Sequence, residues 1–260
     1  MKLNDQTAVI IGGTGDIGRA TARLFIEAGA NVVITGRSQT HTGTRASVLG
    51  GQARGIAVDP GDEAQLRSLF AETGSFDYLL LTLGTQAVTM PFAQLPEEQL
   101  LRGMNEKFLY YTRALRTSLG KVKQSVTWLT GAAARTAFVG MSNYAAPNGA
   151  LHAMIGPLAL ELAPVRINCV AAGLTRTNFW SKLGMSDEVQ AAMFADGKRS
   201  IPLRHVAAPE EIAHALLFAA TNPYTTGTIL DPNGGLHLGR VSARSEEPSF
   251  GSVRGMANNR

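Results

Sequence analysis

Thr7-Ala8-Val9-Ile10-Ile11-Gly12-Gly13-Thr14-Gly15-Asp16-Ile17-Gly18 decides the architecture. The first five residues read as a buried strand. Glycines follow at 12, 15 and 18, and then Ile17, Ala20, Leu24 and Phe25 fall at helical spacing through Ala28. A glycine string is informative when it sits between a strand and a helix, as here. Glycine lets the chain turn tightly and approach a pyrophosphate with no Cβ in the way. The helix that follows offers unpaired N–H groups and the positive end of its dipole. Gly12, Thr14, Gly15, Asp16, Ile17 and Gly18 are therefore expected to line a dinucleotide site. Asp16 fits less simply, because an acid caps a helix start well but repels a pyrophosphate. Its carboxylate is expected to turn toward backbone N–H groups or solvent.

Outward from this turn, short apolar runs at 31–35, 55–58, 77–83, 125–130, 165–170 and 228–230 alternate with helical patterns at 62–71, 97–119, 144–162 and 209–220. Continuous apolar strands, each followed by a helix, imply a parallel sheet covered on both faces. The order βαβαβ implies a doubly wound, Rossmann-type α/β fold. Residues 38–51, rich in Thr, Ser and Gly, predict a short helix or loop rather than a full crossover helix. No composition shift precedes about residue 240, so residues 1–240 are expected to form one dinucleotide-binding domain. Residues 241–260, polar and aperiodic, are expected to form a flexible tail.

Composition excludes several classes. The chain is 45% hydrophobic and 17% charged, with a net charge of +4, which suits an ordinary soluble globular protein. Lys and Arg are scattered, which argues against nucleic acid as a partner. The single cysteine, Cys169, lies in an apolar run, so it predicts a buried thiol, with no disulfide and no cysteine metal cluster. No apolar stretch approaches the roughly 20 residues that span a bilayer. The N-terminus runs directly into a strand without a signal-peptide pattern, so the cytoplasm is the expected location. At the end of the second strand the chain reads Thr35-Gly36-Arg37-Ser38. NAD sites usually carry an acid here to hold the ribose hydroxyls, whereas a 2′-phosphate needs a cation. Arg37, with Ser38 beside it, points to NADP(H).

Several stretches together resemble the short-chain dehydrogenase/reductase family, from about residue 3 to 238. The glycine turn is similar to the family's, with 12/15/18 spacing closer to the extended members at a length typical of the single-domain ones. Val58-Asp59 resembles the strand-end aspartate that contacts adenine. Residues 165–177 resemble the stretch bordering the nicotinamide, with Ala172 where proline is usual. Ile201-Pro202-Leu203-Arg204-His205, Pro209-Glu210-Glu211-Ile212-Ala213 and residues 227–235 also match. The resemblance implies a nucleotide-dependent oxidoreductase, with Asp59, Gly84, Gly173, Thr175 and Thr177 added to the cofactor site.

Departures from that pattern cluster at the chemistry. The Asn-Asn-Ala-Gly expected after the fourth strand is Leu81-Thr82-Leu83-Gly84. The expected serine falls on Gly131, with Thr130 beside it. The tyrosine is present as Tyr144, in Ser142-Asn143-Tyr144, but the lysine four residues later is Asn148. The helix asparagine maps to Asn105, with Lys107 in an alternative register. In the family the lysine ammonium lowers the tyrosine pKa and holds the nicotinamide ribose. Asn148 is neutral; it can hydrogen-bond a ribose hydroxyl but cannot supply charge. Thr130, Ser142, Lys107, Arg135 and His152 are the candidates for replacing what is lost. Adjacent strand residues face opposite sides, which argues against Thr130 standing in for the serine.

Three functions stay open. One is an NADP(H)-dependent reductase or dehydrogenase of a small hydrophobic carbonyl or alcohol, with Tyr144 as proton donor. Another is a catalytically impaired dinucleotide-binding protein, serving as a sensor or partner subunit. The third is a non-redox enzyme on the same frame. Phe179, Trp180, Leu183, Met185, Met193 and Phe194 suggest an apolar lid, and Phe138, Val139 and Met141 an opposing wall. The family pairs through its two long helices, and Ala145, Ala146, Gly149, Ala150 and Ala153 permit close helix approach. A homo-oligomer, tetramer or dimer, is expected on that analogy.

Overall fold

The computed structural model describes residues 2–86 and 88–239; the tail expected at 241–260 lies outside them. In chain order the elements are β1 (Thr7–Ile11), α1 (Asp16–Glu27), β2 (Asn31–Gly36), α2 (Gln39–Leu49), β3 (Ala53–Ala57), α3 (Glu63–Thr73) and β4 (Phe76–Leu81). Then come α4 (Glu97–Gly103), a π turn (Met104–Leu109), α5 (Tyr110–Ser118), β5 (Val122–Gly131), α6 (Ser142–Glu161) and β6 (Arg166–Ala172). Next come α7 (Phe179–Lys182), α8 (Asp187–Ser200), α9 (Pro209–Thr221) and β7 (Ile229–Leu230), followed by a 3-10 turn at Leu236–Leu238.

Among the described residues seven parallel strands lie in the order β3-β2-β1-β4-β5-β6-β7. The path steps outward from β1 to β3, then returns to the other side of β1, so the order reverses between β1 and β4. Open α/β sheets bind ligands in the crevice that such a reversal leaves at the carboxyl ends of the strands. Alternate residues feed two cores. Val9, Ile11, Leu79, Leu81, Val126 and Trp128 pack under α3, α5 and α6. Ala8, Ile10, Tyr78, Leu80 and Val170 pack under α1 and α9. Both faces are covered, which is why the strands read as unbroken apolar runs. No described helix is long and apolar enough to cross a membrane.

Two expectations needed correction. Residues 39–49 form an eleven-residue helix rather than a short helix or loop. Ser38 starts it, its Oγ accepting the His41 N–H at 3.3 Å, and Thr42 and Ala46 bury one face. That face seats on β3, where a Cβ on Gly55 would lie 2.6 Å from the Thr42 carbonyl. Tertiary packing overrides the weak helix propensity of the segment. The helix expected at 97–119 is interrupted by the π turn at Met104–Leu109. One extra residue per turn rotates the following side chains about the axis, and such turns often mark functional sites.

Candidate functional site

A cleft of about 610 Å³ runs over the carboxyl ends of β1, β4, β5 and β6. Its phosphate end is built from backbone. Gly12 adopts φ +87°, a conformation that favours glycine. A Cβ on Gly18 would lie 2.6 Å from the Gly12 carbonyl and 2.8 Å from the Gly13 Cα. Gly18 therefore lets α1 pack against the turn. At Gly15 a Cβ would meet only the Gly12 carbonyl, at 3.4 Å; the rest of its surroundings is open cleft. The turn thus forms a cradle that a side chain at 15 would partly fill, and a pyrophosphate fits it. Thr14, Ile17, Gly84, Gly173, Thr175 and Thr177 also line the cleft.

Asp16 also lines the cleft, and its carboxylate is spent on partners outside the glycine turn. Its carboxylate accepts the Asn178 backbone N–H at 2.7 Å and the Asn178 amide at 3.3 Å, with Arg19 Nη2 at 3.4 Å. It ties the start of α1 to the segment leading into α7. Arg37 lies at the exposed mouth of the cleft, and among the described residues it has no ion-pair partner. Two residues expected at this end sit outside the cleft lining. Ser38 is the exposed cap of α2. Asp59, exposed between the lining residues Val58 and Pro60, accepts the Gly61 N–H at 2.8 Å.

The chemical end is made of side chains. Tyr144, near the start of α6, lines the cleft and is 6% exposed. The Phe179 ring meets it edge-on, with centroids 6.0 Å apart. Burial pushes the phenol well above its ordinary value, and the Glu106 carboxylate adds to the shift. Asn148, one turn further along α6, spends its amide on backbone. Its Nδ2 donates to the Tyr144 carbonyl at 2.7 Å, and its Oδ1 accepts the Gly131 N–H at 3.3 Å. Thr130, buried at the end of β5, has its hydroxyl 2.7 Å from His152 Nε2 and 3.1 Å from Cys169 Sγ. Thr130 lines the cleft, and its hydroxyl is engaged by these two partners. Cys169 is buried, and burial pushes its thiol up to about 12. Arg135, another candidate charge, is paired with Asp231 at 2.5 Å.

Asn105 is corrected by the structure. It is exposed and does not line the cleft. The π turn brings Glu106 and Lys107 to the cleft instead. Glu106 accepts from Thr85 Oγ1 at 3.1 Å and the Gln86 N–H at 2.6 Å, and pairs with Arg102 at 3.2 Å. Lys107 is buried, with its Nζ 2.6 Å from the Leu83 carbonyl and 2.7 Å from the Leu129 carbonyl. The sequence offers no periodic signal for the π turn; it gives Lys107 only as an alternative register and as one of several candidates for the missing charge.

The cleft also has an apolar wall. Phe179, Trp180, Met185 and Met193 line the cleft, as do Phe138, Val139 and Met141, and Phe138 packs on the same small core as Trp180 and Met193. Trp180 is fixed by an Nε1–H bond to the Thr175 carbonyl at 2.9 Å. Phe194 is buried in a small separate core with Ile201, Val206 and Leu236, under Arg176, 4.7 Å from its ring centre. Leu183 is half-buried outside the lining.

Known proteins resemble this arrangement closely. A family model described as enoyl-(acyl carrier protein) reductase matches residues 13–237. The chain is 30% identical over 265 residues to L-fucose dehydrogenase of Mus musculus, covering 97% of this chain and 95% of that one. A solved small-chain dehydrogenase in complex with NADPH superposes with a TM-score of 0.79 at 29% identity, covering 91% of this chain and all of that one. The structure of a short-chain oxidoreductase from Pseudomonas aeruginosa PAO1, described as containing an atypical catalytic center, superposes with a TM-score of 0.82 at 26% identity. It covers 91% of this chain and 98% of that one.

Proposed function

The chain belongs to the short-chain dehydrogenase/reductase family, and on that premise we propose that it is an NADP(H)-dependent reductase of a small hydrophobic carbonyl, with Tyr144 as the proton donor. One observation carries this reading. A single cleft joins the glycine cradle, with Arg37 at its mouth, to a tyrosine under an apolar wall. Arg37 is assigned the 2′-phosphate, since a planar guanidinium can hold it by two charge-assisted bonds.

NADPH, when bound, supplies the hydride that goes to the carbonyl carbon. The chain's own part is the proton. Tyr144 gives its phenolic proton to the carbonyl oxygen as that oxygen takes up negative charge. The buried phenol holds its proton well above neutral pH, so the donor form dominates under ordinary conditions. Oxidation of an alcohol would need the phenolate, which this environment disfavours. The direction favoured is therefore reduction. Phe179 and Trp180 shield the reacting carbon from water, and the apolar wall selects against charged substrates. Self-association through the α4–α5 helix and α6 belongs to the same reading, and sedimentation at graded concentration tests it.

The decisive experiment follows Trp180 fluorescence on titration with NADPH and NADH, then screens apolar ketones, enones and aromatic aldehydes with NADPH. The expected result is NADPH-selective binding and turnover. Tyr144→Phe should lower that turnover by about 10²- to 10⁴-fold with NADPH affinity unchanged. Binding without turnover across the panel would instead favour a cofactor-binding protein, in keeping with an Asn148 amide spent on backbone.

A further inference from the structure

β4 and β5 pair in register through Leu81 and Trp128, and β4 ends there. Beyond that point Lys107 sits between the two strand segments. Its Nζ lies 2.6 Å from the Leu83 carbonyl, 2.7 Å from the Leu129 carbonyl and 2.7 Å from the Tyr111 hydroxyl. Tyr111 Oη is itself 3.0 Å and 2.6 Å from the same two carbonyls. Among the described residues no carboxylate pairs with this lysine. A buried cation without a counter-ion is costly, and an apolar or amide side chain would fill the same gap more cheaply. That cost singles the position out as a functional candidate.

The geometry satisfies the amine in either protonation state. As an ammonium it donates to both carbonyls and to Tyr111, whose own O–H turns to a carbonyl. As a neutral amine it donates to the two carbonyls and accepts from Tyr111. Burial brings the two states into balance near neutrality, at about 7. Lys107 also grips the same strand end as Asn148, which takes the Gly131 N–H. The carbonyl of residue 129 and the N–H of residue 131 leave a strand on the same side. The lysine and the asparagine thus stand side by side on the cleft wall that holds Tyr144.

We infer that Lys107, reaching the cleft from the π turn, supplies the positive charge that position 148 on α6 does not. It acts as a positioning residue, through its field on Tyr144, and the inference rests on the reductase reading above. Charged Lys107 eases the negative charge left on Tyr144 when its proton departs; neutral Lys107 does not. Carbonyl reduction should therefore fall as pH rises through about 7. Other titratable groups face this corner: Tyr111 on α5, Cys169 on β6, His152 on α6 and Glu106 beside Lys107 itself. Burial pushes Cys169 to about 12 and Tyr111 higher than an ordinary phenol. His152 is lowered from 6.5 by burial and by Arg135. It is the group that needs a control.

The test compares kcat/KM for NADPH-dependent reduction from pH 5.5 to 9.5 in the full chain, Lys107→Met, Lys107→Gln and His152→Gln. The wild type should show an inflection near 7 that His152→Gln retains and both Lys107 variants lose. At pH 6 the Lys107 variants should turn over about 10- to 100-fold more slowly, the size expected for one to two pKa units of lost charge interaction. At pH 9 they should approach the wild type, with NADPH affinity within about twofold throughout. Lys107→Gln keeps donors for the carbonyls, so a merely structural wedge would leave its profile inflected like the wild type, and that result overturns the inference. Where neither variant folds, ¹⁵N NMR of the six lysine side chains decides. A resonance titrating near neutrality and shifting with NADPH supports the role; a Lys107 resonance that is neutral down to pH 5.5, or that NADPH does not move, overturns it. Absence of turnover in the wild type would sink the reductase reading and this inference together. Turnover with an unmoved profile sinks only Lys107.

Discussion

The two ends of the cleft are specified in different currencies. At the phosphate end the requirement is a backbone shape, and that shape admits few residues. Gly12 must reach φ +87° and Gly18 must let α1 pass within contact of the turn. At the chemical end the requirement is a charge or a proton at a point in space, and several elements can reach that point. The charge missing from α6 at Asn148 has a buried lysine holding the same strand end from the π turn. Backbone requirements tie function to fixed spacing in the sequence; side-chain requirements do not.

The largest expected effect tests the steric half of this comparison. Gly18→Ala places a Cβ against backbone atoms at 2.6 and 2.8 Å, which cannot yield as a flexible side chain would. It should destabilise the protein by about 1–3 kcal/mol or more and abolish NADPH binding. Gly15→Ala meets only one atom, at 3.4 Å. Its melting temperature should stay within a few degrees of wild type, roughly the ±0.5 kcal/mol of an unstrained substitution, while NADPH affinity falls. Thermal melts and NADPH titrations on the pair check both. Equal loss of stability at 15 and 18 would break the claim that one glycine serves the fold and the other the ligand.

A smaller effect probes the cofactor's far edge. Arg37→Glu exchanges a guanidinium for the acid that holds ribose hydroxyls in NAD sites. NADPH affinity should drop by about 10- to 100-fold, the range of a lost charge-assisted contact of 1.5–3 kcal/mol, and NADH affinity should rise. Competition titrations with the two cofactors read the ratio directly. An unchanged ratio would remove Arg37 from the specificity assignment.

How much of this was legible in the sequence follows the same division. The alternating apolar runs carried the sheet, because strands buried on both faces leave an unbroken apolar signature. The turn at Gly12–Gly18 was legible for the steric reasons given above. Residues 39–49 were misjudged because their helix is held by Thr42 and Ala46 packing on β3, a tertiary contact that local composition does not encode. Asn105 was misplaced because a π turn breaks the 3.6-residue count on which a helical register depends. Ser38 and Asp59 lie next to lining residues, but their side chains serve local turns. Tyr144 was legible from its neighbours; Lys107 was legible only as one of several candidates to answer for Asn148, since nothing local in sequence links residue 107 to residue 148.

Asp16 joins the two ends, and it gives the smallest and most discriminating prediction. Its carboxylate accepts the Asn178 N–H at 2.7 Å, so an acid in the glycine turn is spent on anchoring the segment that carries Phe179 over Tyr144. Asp16→Asn keeps an oxygen for that N–H and removes a negative charge near the pyrophosphate. Asp16→Ala removes both. If the acid only repels the ligand, the two variants should bind NADPH more tightly by the same factor, about two- to fivefold, as expected for a partly exposed charge interaction of up to 1 kcal/mol. If it also anchors the lid, Asp16→Asn should gain affinity with turnover retained, while Asp16→Ala gains no more affinity and loses turnover as Phe179 and Trp180 cease to close over Tyr144. The anchoring role predicts the second pattern. A single set of NADPH titrations and carbonyl turnovers on the two variants separates the patterns, and equal behaviour of the two would return Asp16 to the phosphate end alone.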